Sequence, residues 1–592
     1  MAPPAQDAAG IIHRPMHVTF VHAPEDYYDQ NYGTQFVPLW AYCLAAHVPD
    51  GWRTTIVDCK NQDPRTCAPA DVFAFSGINQ DVDRIREVWT LLKERHPDAT
   101  FILGGPITWS FEQEGKLDSL EYFDHLFILD GEDTLPEFLN GLAAGRPAAK
   151  VIRAERFPLD RSRRLPFELF QPDFKRYYGG VVEVSRGCPF LCEFCDIRVL
   201  PGNNRANNKP VDLIIQELDA YYRLGITHIQ FACDNFIGDP VWARECVEAM
   251  IAWKERAGAD IAVFTWLTIN LYKHRDLMAM MRRAGFSILF IGIESVNRNS
   301  LLETAKVQNV NALEEAVETI NAYGFIIAPG FIFGFDSDTS TVFDDTLTFL
   351  AETGIIGGDP SFLMALPGTP LFERMQRAGR LVPSEQGVAR KKIQTNIRYL
   401  QDSASLTKGF LGFVERYTSP RFQYARFKAL LDIIRNQGRY VPVKGPGYGS
   451  PLPYLKLQLR SPRYAAMLWR RIRFVLRRPS NAWAIVKAYA LLQRRLRQYP
   501  GLGAHFFYWV YAWTNIALKY EGIREAHFLL HSVEQDFDDA RLAPVAPNKE
   551  SRLAQIRDGV KVDVQARYTN RALTRLLEER RAPTPAASSA RE

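Results

Sequence analysis

Val181-Val-Glu-Val-Ser-Arg-Gly-Cys188-Pro-Phe-Leu-Cys192-Glu-Phe-Cys195-Asp-Ile197 decides how the chain is read. Its β-branched start predicts a strand. Gly187-Cys188-Pro189 turns that strand into a loop, and three cysteines at CxxxCxxC spacing fill the loop. Cysteine thiolates hold iron–sulfur clusters, and four such ligands close a [4Fe–4S] cube. Three close cysteines without a fourth leave one iron open to an outside ligand, and metal chemistry needs an open position. The rival is a structural zinc loop, but that expects four Cys or His ligands in two pairs. No second pair follows.

Around this loop the 592 residues predict about three or four domains. With 47% hydrophobic and 23% charged residues the balance is that of an ordinary globular protein. The other cysteines (Cys43, Cys59, Cys67, Cys233 and Cys246) are scattered. They form no disulfide framework and read as buried small hydrophobes. The triplet argues for a reducing, cytoplasmic setting. Residues 1–15 lack a basic start followed by an apolar core, so they read as a flexible N-terminus and not a signal peptide. No apolar run of membrane-spanning length appears, and residues 581–592 read as a disordered tail.

Upstream, residues 16–145 alternate short apolar runs with helical patterns. His17–Val21, Thr54–Val57, Val72–Ser76, Thr100–Leu103 and Leu126–Leu129 read as strands, and 36–47 and 81–95 as helices. Strands spaced by helices imply a parallel, doubly wound, Rossmann-like sheet. Such sheets bind ligands outside the carboxyl ends of their strands. Three strand ends carry suitable residues: Ser76, Gly77, Asn79 and Gln80; Gly104 and Gly105; Gly131 and Glu132. Glycine there lets a cofactor approach the backbone, although tight turns use glycine anyway. No GxGxxG follows the first strand, which counts against a dinucleotide.

Downstream of a proline-rich, charged connector (146–178), the alternation resumes with longer units over 179–385. Strands are expected near Val181, Ile229, Ile261, Ile288, Phe325 and Ser361, with helices at 211–224, 240–256 and 274–284. Six units read as a partial (β/α)6 barrel, whose chemistry sits at the carboxyl ends of its strands. The cysteine loop follows the first strand. Asp234, Asn270 and Glu294 follow later ones, and together they read as a small-molecule site; singly, each could only cap a helix.

These residues resemble a known family. RGCPFLCEFCDI (186–197) resembles the signature of radical S-adenosylmethionine (radical SAM) enzymes. CDNFIG (233–238), FIGIES (290–295), GFIFGFD (330–336) and ALPGTPLFERM (365–375) resemble motifs of the cobalamin-binding subgroup that includes the hopanoid C-2 methylases. The resemblance covers about 16–385 and is specific within 181–375. It implies a [4Fe–4S] cluster on Cys188, Cys192 and Cys195, with SAM chelating the open iron through its amino and carboxylate groups. It also implies Phe194 near the adenine, and Asp234, Asn270, Glu294 and Ser295 near the methionine or ribose. The N-terminal domain becomes the cobalamin site, with Ser76, Gly77, Asn79, Gln80, Gly104, Gly105, Gly131 and Glu132 as its candidates.

Two departures matter. No DxHxxG occurs, so no histidine of that motif ligates cobalt; the loop Ser76–Gln80 is then expected at a weakly ligated lower face. The asparagine-rich stretch Leu200–Lys209 replaces a Gly-Arg-x-Pro-Arg type of sequence and is a candidate wall for a different substrate pocket. The implied activity is C-methylation. A 5′-deoxyadenosyl radical takes hydrogen from an unactivated carbon of a small, lipid-like or other substrate, and that carbon receives a methyl group by way of methylcobalamin. An electron donor such as flavodoxin or ferredoxin is implied. The alternative is a non-methylating cyclisation or rearrangement with cobalamin as an auxiliary cofactor. A methylthiotransferase is disfavoured, because Cys43, Cys59 and Cys67 lack the spacing for a second cluster. A scaffold with a dead barrel is disfavoured by the intact triplet.

Residues 386–580 read as a mostly helical, basic C-terminal domain. From 433 to 520 there is no acidic residue but sixteen lysines and arginines. Tyr464–Arg478 reads as a basic amphipathic helix, Ala482–Arg497 as a second, and Ala504–Trp513 is aromatic. Arginine beside Trp and Tyr suits the interface of an anionic bilayer, so peripheral contact with the inner face of the membrane through 433–520 is expected. The rivals are a helical cap paired with the acidic remainder of the chain, and nucleic acid, for which no binding motif is present.

Overall fold

The computed structural model describes residues 15–25, 36–170, 176–382, 395–443 and 462–521, with isolated positions at 452, 455, 456 and 459. Residues 1–14, the tail 581–592, and the stretches 386–394, 444–451 and 522–580 of the expected C-terminal domain lie outside the described residues.

The fold is α/β with two six-stranded parallel sheets. The first runs β1 (His17–His22), β2 (Arg53–Asp58), β3 (Val72–Ser76), β4 (Thr100–Gly104), β5 (His125–Ile128) and β6 (Val151–Arg153), ordered β2-β1-β3-β4-β5-β6. Alternate residues serve opposite faces. Phe73, Phe75, Phe101 and Leu103 join one core, whereas Val72, Ala74 and Ile102 join another. Both faces are therefore dry, as a parallel sheet requires. The order reverses between β1 and β3, the place where open parallel sheets bind ligands at their carboxyl ends.

β6 falls inside the stretch read as a connector. Val151 and Ile152 are β-branched and pair with Leu126 and Phe127 of β5, so the sheet gains an edge strand. Leu165, Phe167 and Phe170 from the same stretch are buried in the core of the second sheet. Apolar spacing hidden among charges and prolines made this segment read as a linker.

The second sheet runs β7 (Gly180–Glu183), β8 (His228–Ala232), β9 (Ala262–Leu267), β10 (Phe286–Glu294), β11 (Ile326–Phe333) and β12 (Asp359–Phe362), in sequential order. Sequential parallel strands with crossovers of one hand put every helix on one face. Val263, Leu267, Leu289, Ile291 and Ile293 point to that face and are almost fully buried with Val247, Met278 and Val317. The opposite face carries Phe264, Trp266, Ile288, Phe290, Ala328 and Gly330, all only partly buried. It is an apolar, aromatic surface without helices of its own crossovers.

Helices Ser403–Tyr417, Pro420–Gln437, Pro462–Arg477, Pro479–Leu496 and Gly503–Lys519 complete the described chain. Pro420–Gln437 shows how local sequence sets their limits. Ser419 Oγ accepts from Phe422 N, Pro420 takes the first turn, and Gly438 closes the helix at φ +62°. Phe427, Leu430, Ala488, Trp509 and Trp513 form one core with Ile326 and Ile356. His505 bonds Gly324 O at 3.0 Å and Lys519 pairs with Asp359 at 2.7 Å, so this bundle sits at the amino ends of β11 and β12. No helix among the described residues is long and apolar enough to cross a membrane.

Candidate functional site

The cysteine loop leaves the carboxyl end of β7 through the antiparallel pair Ser185–Arg186 with Asn207–Asn208. Gly187 stands at φ +94°, and a Cβ there would lie 2.2 Å from Arg205 O, so only glycine fits this turn. Its N–H donates to Asp234 Oδ2 at 2.6 Å. Cys188 N donates to Asn203 O, and Glu193 N to Thr304 O. Burial pushes the Cys188 thiol up to about 12 and the Cys195 thiol well above the usual range. Two amides approach the sulfurs: Asn235 Nδ2 lies 3.9 Å from Cys188 Sγ, and Gln308 Nε2 lies 3.6 Å from Cys192 Sγ. No group of three or more His, Cys, Asp or Glu among the described residues closes around a single ion. A cube spreads its thiolates over separate irons, so a loop shaped for one does not gather them at one point.

Glu193, between the second and third cysteines, is 1% exposed. Its carboxylate accepts from Arg374 Nε at 3.0 Å. Arg374 also pairs with Asp336 at 3.1 Å and Glu303 at 3.6 Å, and Arg380 binds Asp336 through two nitrogens. Two arginines thus face three carboxylates in the interior. The pairing explains why these charges tolerate burial. Leu371 N donates to Glu193 O, so the segment Thr369–Met375 grips the loop by backbone as well.

The other expected residues are only partly brought together. Asp234 reaches the loop through Gly187, and burial raises its carboxyl to about 6. Asn270 accepts from Thr268 Oγ1, which also lies 3.5 Å from Asn235 Oδ1, linking the ends of β8 and β9. Glu294 stands at φ +66°, strained for a non-glycine residue, and pairs with buried Lys306 at 2.9 Å. Burial opposes the Lys306 charge, but Glu294 and Cys192 outweigh it and raise its pKa. The ammonium lies 5.9 Å from the Phe194 ring, which lies 6.4 Å from that of Phe335. Ser295 is beside Glu294, yet its Oγ closes a local turn to Asn297 N.

In the first sheet, Ser76, Gly77, Gly104 and Gly105 meet at the switch-point end. Gly105 stands at φ +87°, where a Cβ would lie 2.2 Å from Ser76 Oγ. Asn79 and Gln80 start the short turn Asn79–Asp81, and Asn79 Oδ1 is buried without a hydrogen-bond partner among the described residues. A buried orphan acceptor at a strand end is what a ligand donor satisfies. Gly131 packs on Leu44. Glu132 is directed elsewhere: it is 5% exposed and binds Arg186, which also reaches Asp130 at 3.0 Å and Glu183 at 2.8 Å.

That ion cluster joins the two sheets at their carboxyl ends, since Asp130 and Glu132 follow β5 whereas Glu183 ends β7. Tyr177 OH adds a bond to Asp58 Oδ2 at the end of β2. The asparagine-rich loop proves to be part of this joint. Asn207 bonds Leu159 N and Phe157 O, Asn208 bonds Asp239, and Asn203 holds Cys188. The side-chain amides of Asn207 and Asn208 are thus used on backbone and a helix cap, and Asn203 acts through its backbone carbonyl.

Residues 182–350 match the model of the Radical SAM superfamily. This segment is a radical SAM domain. The chain is 30% identical over 357 residues to the hopanoid C-2 methylase of Rhodopseudomonas palustris (strain TIE-1), a match covering 58% of the chain and 65% of that relative. Among solved structures, the cobalamin-dependent S-adenosylmethionine radical enzyme OxsB has a TM-score of 0.55 at 15% identity, over 89% of this chain and 82% of that one. The radical S-adenosylmethionine methyltransferase TsrM from Kitasatospora setae, solved with cobalamin and a [4Fe–4S] cluster, has a TM-score of 0.52 at 15% identity. It matches 62% of this chain and 76% of its own. These two likenesses are of fold, and they extend beyond the radical SAM domain. Arg186, Glu193, Asn235, Lys306, Gln308 and Arg374 were not singled out from sequence; several stand inside or beside the quoted motifs.

Proposed function

We propose that the protein is a cobalamin-dependent radical SAM C-methyltransferase acting on an apolar, lipid-like small molecule. The observation that carries this reading is the Arg186 cluster, which faces the carboxyl ends of both sheets toward each other with the cysteine loop at the joint. In this reading residues 16–145 are a Rossmann-like cobalamin domain, 179–385 a partial (β/α)6 barrel, and 386–580 a helical basic domain. Cys188, Cys192 and Cys195 hold a [4Fe–4S] cluster. SAM lies among Phe194, Asp234, Asn270 and Glu294, with Ser295 shaping the turn. Cobalamin lies over Ser76, Gly77, Asn79, Gln80, Gly104 and Gly105, with Gly131 at its edge and Glu132 reserved for the joint. Bound there, these groups supply hydrogen abstraction and the methyl group; the protein supplies position and exclusion of water.

This chain's residues do specific work. Lys306 holds Glu294 in place through their ion pair, and that carboxylate is then an acceptor for a ribose or amino group. Asn79 Oδ1 accepts from a cofactor amide. Phe264, Trp266 and Phe290, on the face of the second sheet opposite its crossover helices, give an apolar substrate a dry wall. The hopanoid C-2 methylase supports methylation as the reaction class. The reading includes an electron donor such as flavodoxin or ferredoxin, a cytoplasmic setting, and peripheral contact with the inner face of the membrane through 433–520.

Anaerobic reconstitution with iron, sulfide and hydroxocobalamin tests it. Cluster absorbance is expected in wild type and lost in Cys188→Ala/Cys192→Ala/Cys195→Ala, with cobalamin retained by both. Turnover should yield S-adenosylhomocysteine together with 5′-deoxyadenosine. 5′-Deoxyadenosine alone would replace methylation with the cyclisation or rearrangement reading.

A further inference from the structure

The helices Pro462–Arg477 and Pro479–Leu496 present apolar side chains outward. On the first, the inward position is taken by Arg471, which is 8% exposed. Its guanidinium lies 4.2 Å from the Tyr511 ring and its Nη2 is 3.4 Å from Asn515 Oδ1. Trp469, Ile472 and Leu476 are instead 63%, 38% and 68% exposed. On the second helix Asn481, Ala484, Ala488 and Leu492 are buried, whereas Trp483 and Val486 are 59% and 53% exposed. Nine large apolar side chains are exposed among the described residues, and eight of them fall between 452 and 489. The exposure is therefore a local feature and not the scatter of single apolar residues that any surface shows.

The charges around this face have one sign. Arg470, Arg473, Arg477, Lys487 and Arg494 on the same two helices, and Arg478 between them, are exposed. Arg477 pairs with Glu521 at 3.2 Å, and Lys487 lies 5.3 Å from the Trp483 ring. A cap held by ion pairs with an acidic remainder would bury these arginines against carboxylates. The carboxylates nearest in sequence are Asp432 and Glu521, at either end of the segment.

We propose that this outward face, with Trp469, Ile472, Leu476, Trp483 and Val486 at its centre and basic side chains around them, docks the protein on an anionic lipid bilayer. Aliphatic and indole side chains enter the boundary between headgroups and acyl chains, and arginine and lysine meet lipid phosphates. Exposed aliphatic side chains separate this partner from nucleic acid, which rewards charge and stacking but gives leucine, isoleucine and valine nothing to enter. Both helices pack inward on Gly503–Lys519, which lies at the amino ends of β11 and β12. The bilayer then lies behind the second sheet, on the side away from the cysteine loop. The proposal does not depend on the reaction catalysed.

Vesicle flotation of the full-length protein tests it. Vesicles of phosphatidylcholine are compared with equal parts of phosphatidylcholine and phosphatidylglycerol. Wild type is expected to float with the anionic vesicles, weakly with the neutral ones, and less at high salt. Trp469→Ser/Leu476→Ser/Trp483→Ser/Val486→Ser should lose at least tenfold in bound fraction with an unchanged circular dichroism spectrum, because each side chain is already exposed. Arg470→Gln/Arg473→Gln/Arg477→Gln should abolish the preference for anionic vesicles. Wild type that stays at the bottom of the gradient, or serine variants that float as wild type does, overturn the proposal. A face already covered by another segment of the chain gives the first of those results, with indole fluorescence that iodide fails to quench. Tighter binding to a single-stranded oligonucleotide than to anionic vesicles overturns it equally.

Discussion

At the scale of single residues, two side-chain amides approach the sulfurs of the cysteine loop, which in the proposed reading are cluster ligands. Hydrogen bonds to cluster sulfurs are one lever on reduction potential. An N–H aimed at sulfur stabilises the more negative, reduced state. Asn235→Leu and Gln308→Leu are therefore each expected to move the potential of the reconstituted cluster to more negative values. Potentiometry followed by electron paramagnetic resonance checks this, and an unchanged potential excludes a role at the sulfurs. Lys306 belongs to the same neighbourhood. Lys306→Met leaves Glu294 buried without its partner, so weaker SAM binding by equilibrium dialysis is expected, with cluster content unchanged. The three cysteines could be singled out in the sequence because ligand spacing is local. Their neighbours were not, because Asn235 and Gln308 are 47 and 116 residues from the sulfurs they approach. Asparagine and glutamine carry no sign of their partner.

At the scale of elements, the helix Pro370–Arg377 works as a clamp on the loop. Arg374 holds Glu193, Glu303 and Asp336 at once. Removing one partner of a buried ion pair costs about 3–5 kcal/mol, because charge is left behind without compensation. Arg374→Met is expected to lose stability of that order in urea unfolding, and Arg377→Met, on the exposed side of the helix, almost none. Asp338 is a second anchor, accepting from Gly334 N, Phe335 N and Ser300 Oγ. Burial raises its carboxyl to about 6. The native state then holds a proton that the unfolded chain has already released, so this group's contribution falls as pH rises from about 4 to 6. Asp338→Asn should flatten the pH dependence of the unfolding midpoint in that window. Strands β1–β5 and β7–β12 were legible because a buried parallel strand is a short β-branched run between turn signals. The edge strand β6 was not, because three residues give no period. The bonds of Asn207 and Asn208 to backbone and to Asp239 were not legible, because composition alone does not say whether amides face a ligand or the protein's own backbone.

At the scale of the whole molecule, Arg186 ties the carboxyl ends of the two sheets together. Arg186→Gln leaves Asp130, Glu132 and Glu183 close together without their shared cation. Lower thermal stability and faster proteolysis between 146 and 178 are expected, read by calorimetry and limited trypsinolysis. The joint between helical bundle and second sheet has its own pH response. His505 is buried, bonds Gly324 O, and is lowered to about 3 by burial with Arg282 adding to it. The unfolded chain binds a proton there near pH 6.5 and the native state does not, so stability falls as pH drops from about 6.5 toward 3. His505→Gln should flatten that part of the profile. The parallel sheets and helical end were legible from alternation. The facing of the two sheets was not, because Arg186 is one arginine among many until the fold brings Asp130 and Glu132 to it.

The grip of Arg374 on Glu193 spans 181 residues of sequence. During synthesis the three cysteines leave the ribosome long before the side chain that fixes the loop between two of them. Until residue 374 has emerged, the triplet is an unshaped thiol segment, open to stray metal and to oxidation. In the proposed reading, iron and sulfide are then acquired by a finished domain and not by the nascent chain, and depletion of cluster-assembly factors should leave a folded apoprotein that can be loaded afterwards.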